Sequence, residues 1–92
     1  MQQWALVLGA SSGFGEATAR LLAERGLDVC GVHLDRRAGM AHVAEITAAI
    51  RERGRQALFF NVNAADHEKR RSVLDALAAR FAEDGGGVVR VL

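Results

Sequence analysis

The chain has 92 residues, 50% hydrophobic and 25% charged, which suits one domain with a thin core and excludes a disordered segment. Twelve basic and eleven acidic residues leave a net charge of +1, which excludes long-range attraction of nucleic acid or of an anionic membrane. No apolar run approaches the ~18 residues of a membrane span, no basic segment leads into an apolar one at the N-terminus, and a single cysteine excludes an internal disulfide, so a cytoplasmic protein is expected.

Trp4-Ala5-Leu6-Val7-Leu8 is a short apolar run closed by Gly9, the pattern of a buried strand. From Gly13 the period changes. Phe14, Ala17, Thr18, Leu21 and Leu22 recur at the spacing of one helix face, and Gly26 stands where a left-handed cap ends a helix. Val29 to Leu34 is a second apolar run, closed by Asp35. Val43, Ile46, Thr47 and Ile50 predict a second helix, with Gly54 at its cap position. Ala57-Leu58-Phe59-Phe60 predicts a third strand. Asp66 is a predicted N-cap for a third helix that carries Val73, Leu74, Leu77 and Phe81 on one face. Gly85-Gly86-Gly87 breaks that helix, and Val88 opens a fourth strand that runs to Leu92.

The order is βαβαβαβ. Strands joined by helices of this length run parallel, with right-handed crossovers. The predicted fold is α/β: a Rossmann-type parallel sheet of strand order 3-2-1-4 with helices on both faces. The first two helices cover one face and the third alone covers the other. The fourth strand leaves an apolar open edge, so the sheet reads as incomplete.

Gly9-Ala10-Ser11-Ser12-Gly13-Phe14-Gly15 joins the first strand to the first helix. So tight a turn needs residues without a Cβ, and the helix N-terminus behind it offers unpaired N–H groups and partial positive charge to a pyrophosphate. Asp35 follows Gly15 by 20 residues at the end of the second strand, where a carboxylate can accept from an adenosine ribose. Two other readings fit the same string. It is compatible with a plain structural turn, and G-A-S-S-G also satisfies the nucleophile-elbow pattern with Ser11 at its centre. The elbow gives no role to Gly15 or Asp35 and follows the first strand rather than a later one.

The spacing G-x-x-x-G-x-G resembles the cofactor loop of the short-chain dehydrogenase/reductases, T-G-x-x-x-G-I-G, with Leu8 in place of the threonine and Phe14 in place of the isoleucine. The apolar Phe14 is expected to anchor the helix. Asn61-Val62 resembles the Asp-Val pair of that family, which receives the adenine; the amide oxygen of Asn61 can accept from the adenine amino group. The resemblance implies a nicotinamide dinucleotide, NAD or NADP. Gly9, Gly13, Phe14 and Gly15 would shape the pyrophosphate loop, with Ser11 and Ser12 lining it. Asp35 would read the ribose and favour NAD, while Arg36 and Arg37 directly after it could hold a 2′-phosphate or lie in a solvated loop.

The resemblance covers the whole chain but only the N-terminal half of the family's fold. The family's catalytic Tyr-x-x-x-Lys pair has no counterpart: the chain has no tyrosine, and its one lysine, Lys69, lies on the third predicted helix. The resemblance therefore implies that residues 1–92 are the cofactor-binding, N-terminal part of a larger single domain, inactive alone. The whole would transfer hydride between the nicotinamide and a carbonyl, alcohol or enoyl substrate bound by the remaining half. The alternative is a nucleotide-binding regulatory or interaction module without catalysis. Oligomeric state is left open. His33 is expected to pack near its strand end, His42 and His67 at exposed helix starts without metal-ligand spacing, and Cys30 as a small buried hydrophobe.

Overall fold

The structure, a computed structural model, describes residues 2–91. Strands β1 (Gln2–Leu8), β2 (Asp28–His33), β3 (Ala57–Asn61) and β4 (Gly87–Val91) form one sheet in the order β3-β2-β1-β4. All neighbours are parallel, with Leu6 opposite Cys30 and Trp4 opposite Val89. Helices α1 (Gly13–Glu24), α2 (Met40–Glu52) and α3 (His67–Asp84) supply the crossovers. This is the expected Rossmann-type fold, with β4 at one edge of the described sheet.

Alternation along the strands divides the core between the two faces. Ala5, Val7, Val29 and Ala57 face α1 and α2, which bring Ala19, Ala23, Ile46 and Ile50. Trp4, Cys30 and Val32 face the other way, onto Val73 and Leu77 of α3. The segregation of two helices to one face and one to the other follows from right-handed crossovers at this strand order.

α2 and α3 bury the faces their sequence predicts. Val43, Ile46 and Ile50 are buried on α2, and Val73 and Leu77 on α3. Asp66 caps α3 by accepting from the Lys69 N–H at 3.1 Å, and Gly85 ends it with φ 79°. α1 departs from expectation. Its buried residues are Ala19 and Ala23, while Leu21 is 48% exposed and Phe14 87% exposed. Phe14 therefore does not anchor the helix. The physical reason is the closeness of α1 to the glycine loop at its N-terminus, where Gly15 leaves no room for a side chain; Phe14 and Leu21 are turned outward, while Leu22 of the predicted face does pack against the core further along.

The described strand ends differ by a residue or two from the predicted ones, and the predicted end of the fourth strand, Leu92, lies outside the described residues. Leu34 lies beyond β2 and is 70% exposed. Arg37–Gly39 winds into a single 3₁₀ turn that leads into α2, where the sequence suggested only a loop.

Candidate nucleotide site

The loop after β1 is tied down by one carbonyl. Val32 O at the end of β2 accepts from both Gly9 N–H (2.8 Å) and Ala10 N–H (3.1 Å). Gly9 and Gly13 take φ of 69° and 55°, angles that an L side chain would strain. Gly15 is required for a different reason. A Cβ there would overlap Gly9 O and come within 2.5 Å of Gly9 C. The three glycines thus let the first turn of α1 stand directly behind the loop.

That turn is open to a ligand. Ser12 is the N-cap of α1, but its side chain makes no capping hydrogen bond. The first helical bond runs from Glu16 N–H to Ser12 O at 3.3 Å, so the N–H groups of Gly13, Phe14 and Gly15 have no carbonyl one turn back. Such donors, with the partial charge of the helix end, suit an anion. The residues present therefore fit a bound pyrophosphate.

Asp35 lies across the loop. Ser11, which is buried, donates its hydroxyl to Asp35 Oδ1 at 2.5 Å, and His33 Nδ1 stands 3.0 Å from the same oxygen. The Ser11 hydrogen bond is the main reason that the Asp35 carboxyl sits below the usual carboxylate range; partial desolvation opposes it and His33 adds to it. Arg36 and Arg37 are both exposed, and among the described residues neither guanidinium has a hydrogen-bond or salt-bridge partner.

Asn61 ends β3 beside this segment. Its Oδ1 accepts from Asp35 N–H and its Nδ2 donates to Asp35 O, both at 2.9 Å. The amide oxygen that the sequence reading assigns to an adenine thus already holds the main chain of Asp35. Val62 is half-buried and, with Gly9, Val32 and Leu34, lines a cavity of about 140 Å³ at the C-terminal edge of the sheet. Hydrogen bonds thereby link Ser11, Asp35 and Asn61, and Gly9 and Val62 line the cavity next to them. Ser12 at the N-cap of α1, Phe14 in its first turn, and Arg36 and Arg37 after Asp35 are all exposed.

Comparison with known proteins decides the family. A family model described as short chain dehydrogenase matches residues 3–89. The chain belongs to the short-chain dehydrogenase family. A curated relative, the cis-4-hydroxycyclohexanecarboxylate dehydrogenase of Sinomonas cyclohexanicum, is 43% identical over 81 residues, 84% of this chain and 29% of that protein. Among solved structures, a 3-ketoacyl-ACP reductase from Sinorhizobium meliloti 1021 is 32% identical with a TM-score of 0.72 over 85% of this chain and 29% of that one. The L-sorbose reductase from Gluconobacter frateurii, solved with NADPH and L-sorbose, is 25% identical with a TM-score of 0.75 over 87% of this chain and 29% of that one. The chain thus spans under a third of the length of these short-chain dehydrogenases.

Two features of this short-chain dehydrogenase site escape a reading of single residues. His33 reads as a packed histidine, yet it is 4% exposed and directed at Asp35; the signal is its spacing, since residues two apart along an extended segment point the same way. His42, at the start of α2, is the second. Its Nε2 lies 2.6 Å from Glu16 Oε1 in α1, and Glu16 also accepts from Arg20 Nε at 2.9 Å. The mutual hydrogen bond is the largest cause of both shifts, raising the His42 pKa and lowering that of Glu16.

This pair ties the helix behind the glycine loop to the helix behind Asp35, and its contribution depends on pH. A raised histidine pKa stabilises fully below the ordinary value of 6.5 and loses the contribution as pH rises through the folded value. A lowered glutamate pKa stabilises fully above 4.5 and loses it as pH falls through the folded value. The window of full effect is therefore 4.5 to 6.5. His42→Gln should lower the unfolding midpoint more near pH 5.5 than near pH 9. Equal losses at both pH values would show that the pair does not tie the helices.

Proposed function

We propose that residues 1–92 hold the adenosine and pyrophosphate part of a nicotinamide dinucleotide, as the N-terminal part of a longer single-domain oxidoreductase. The carrying observation is the approach of α1 to the β1 loop, where Gly15 leaves no room for a Cβ against Gly9 and the helix end carries no side-chain cap. In this reading Gly9, Ser11, Ser12, Gly13, Phe14 and Gly15 surround the pyrophosphate. Asp35, with Arg36 and Arg37 beside it, faces the ribose, and Asn61 and Val62 border the adenine. The carboxylate of Asp35 supports a preference for NAD, because an ionised carboxylate accepts from a 2′-hydroxyl and repels a 2′-phosphate.

The bound nicotinamide would supply the hydride acceptor or donor. The whole protein would then exchange a hydride with a carbonyl, alcohol or enoyl substrate in the cytoplasm, its tyrosine and lysine lying outside these 92 residues. The dehydrogenase and reductase names of the matched relatives support that class. Isothermal titration of the full-length protein with NAD and with NADP tests the reading. Binding of NAD is expected, weakened about tenfold or more by Asp35→Ala, the worth of a charged hydrogen bond. Binding of neither dinucleotide would overturn the proposal.

A further inference from the structure

We propose that Ser11 and His33 are positioning residues that set the choice between NAD and NADP, by fixing the rotation of the Asp35 carboxylate. The inference rests on the reading of Asp35 as the residue facing the adenosine ribose.

Asp35 follows the end of β2 between two exposed residues, Leu34 and Arg36. Sequence position alone would leave its side chain free to rotate. The structure removes that freedom from four sides. Asn61 grips both polar groups of its main chain. Ser11 and His33 both address Oδ1, at 2.5 and 3.0 Å. They come from different elements, the glycine loop and β2, and both are largely buried, at 8% and 4% exposure. The His33 ring is itself seated near Phe59, with centroids 6.1 Å apart. On the far side, Oδ2 stands over Gly39, where the Cβ of any other residue would come to 2.9 Å from it.

The two oxygens of one carboxylate thus have different duties. Oδ1 is turned inward and takes both donors. Oδ2 has no hydrogen-bond partner among the described residues, which leaves it as the acceptor for a ribose hydroxyl. Without the two hydrogen bonds to Oδ1 the carboxylate can rotate away from the ribose position, which removes both the fixed acceptor for the hydroxyl and the fixed charge opposing a 2′-phosphate, while the exposed Arg36 and Arg37 remain beside the site to hold that phosphate. Latch and charge act together: fixed, the carboxylate selects the hydroxyl; released, it tolerates the phosphate.

The test is the ratio of the NADP and NAD dissociation constants, measured by titration on the full-length protein and on His33→Phe, His33→Asn and Ser11→Ala. Phenylalanine keeps a ring beside Phe59 but removes the donor, and asparagine restores an N–H near the place of Nδ1. The parent protein should favour NAD. His33→Phe and Ser11→Ala should each lower that preference about tenfold, the worth of one hydrogen bond to a charged group, and His33→Asn should keep it. A merely structural role would weaken both dinucleotides alike and leave the ratio unmoved. If NAD binds and the ratio does not move in Ser11→Ala, or in a folded His33→Phe, the inference falls while the cofactor reading stands. A parent protein that favours NADP also overturns the inference. If neither dinucleotide binds the parent protein, both fall together.

Discussion

Gly15→Ala is expected to abolish dinucleotide binding and to destabilise the protein by about 3 kcal/mol, the upper part of the range for overpacking. The added Cβ would overlap Gly9 O, lie 2.5 Å from Gly9 C and reach 3.2 Å from Ala10 N. All three are main-chain atoms, so no side chain can rotate out of the way. Nor can the loop retreat easily, because Val32 O holds the N–H groups of Gly9 and Ala10 to the end of β2. The remaining relief is to push the start of α1 away from the loop. That moves the free N–H groups of the first turn away from the proposed phosphate position. Gly13→Ala makes a useful contrast. Nothing lies within 4 Å of its added Cβ, so its cost is the strain of an L residue at φ 55°, about 1–2 kcal/mol. Denaturant unfolding of both variants, with titration of NAD, should rank Gly15→Ala as the more damaging in both respects. A Gly15→Ala protein that binds NAD and unfolds like the parent would show that α1 does not approach the loop this closely.

The same closeness explains which parts of the molecule are legible in the sequence. The parallel sheet and its order follow from alternating apolar runs and helical periods together with one handedness rule, and no side-chain detail is needed. α2 and α3 are legible because distance from the glycine loop lets them use large side chains. Ile46, Ile50, Val73 and Leu77 mark their inner faces strongly. α1 is misread in part: Leu22 of the predicted face packs against the core, but most of the inner face is Gly15, Ala19 and Ala23, residues with little hydrophobic signal, while Phe14 and Leu21 carry a strong signal on the outside. A helix pressed against a strand needs small residues on the contact side. In such a helix the hydrophobic stripe and the buried stripe need not coincide.

The candidate site divides along similar lines. Gly9, Gly13, Gly15 and Asp35 are legible because backbone geometry and charge restrict the residue types that can do their work. Asn61 is legible as a position but not as a function. Its amide is both donor and acceptor, and only the fold shows that Asp35 N–H and O take up one of each. His33 is hidden for a related reason. A histidine beside apolar strand residues looks satisfied by burial alone, and its polar partner is signalled only by the two-residue spacing that puts the Asp35 carboxylate on the same side of the extended chain.

Trp4→Ala should cost about 4 kcal/mol, the scale of removing a fully buried large aromatic ring. Trp4 is 0% exposed, lies opposite Val89 of β4 in register, and its ring centroid is 6.1 Å from that of Phe81 in α3. It belongs to the cluster in which Val32 and Val62 line the proposed adenine side of the cleft. A void here undermines the only helix on that face of the described sheet and should weaken NAD binding as well as stability. Trp4→Phe should behave very differently. The indole Nε1 is buried without a hydrogen-bond partner among the described residues, so the native side chain carries a desolvated donor that phenylalanine lacks. Relief of that donor, worth about 1–3 kcal/mol, offsets part of the lost volume. The phenylalanine variant should therefore lose less than half of what the alanine variant loses. Denaturant unfolding of the two variants, followed by circular dichroism because the one tryptophan is gone, measures the difference. Equal losses would mean that the indole N–H is satisfied in solution and that its burial stores no free energy. A near-neutral Trp4→Ala would mean that α3 and β4 are not held to the sheet through this ring.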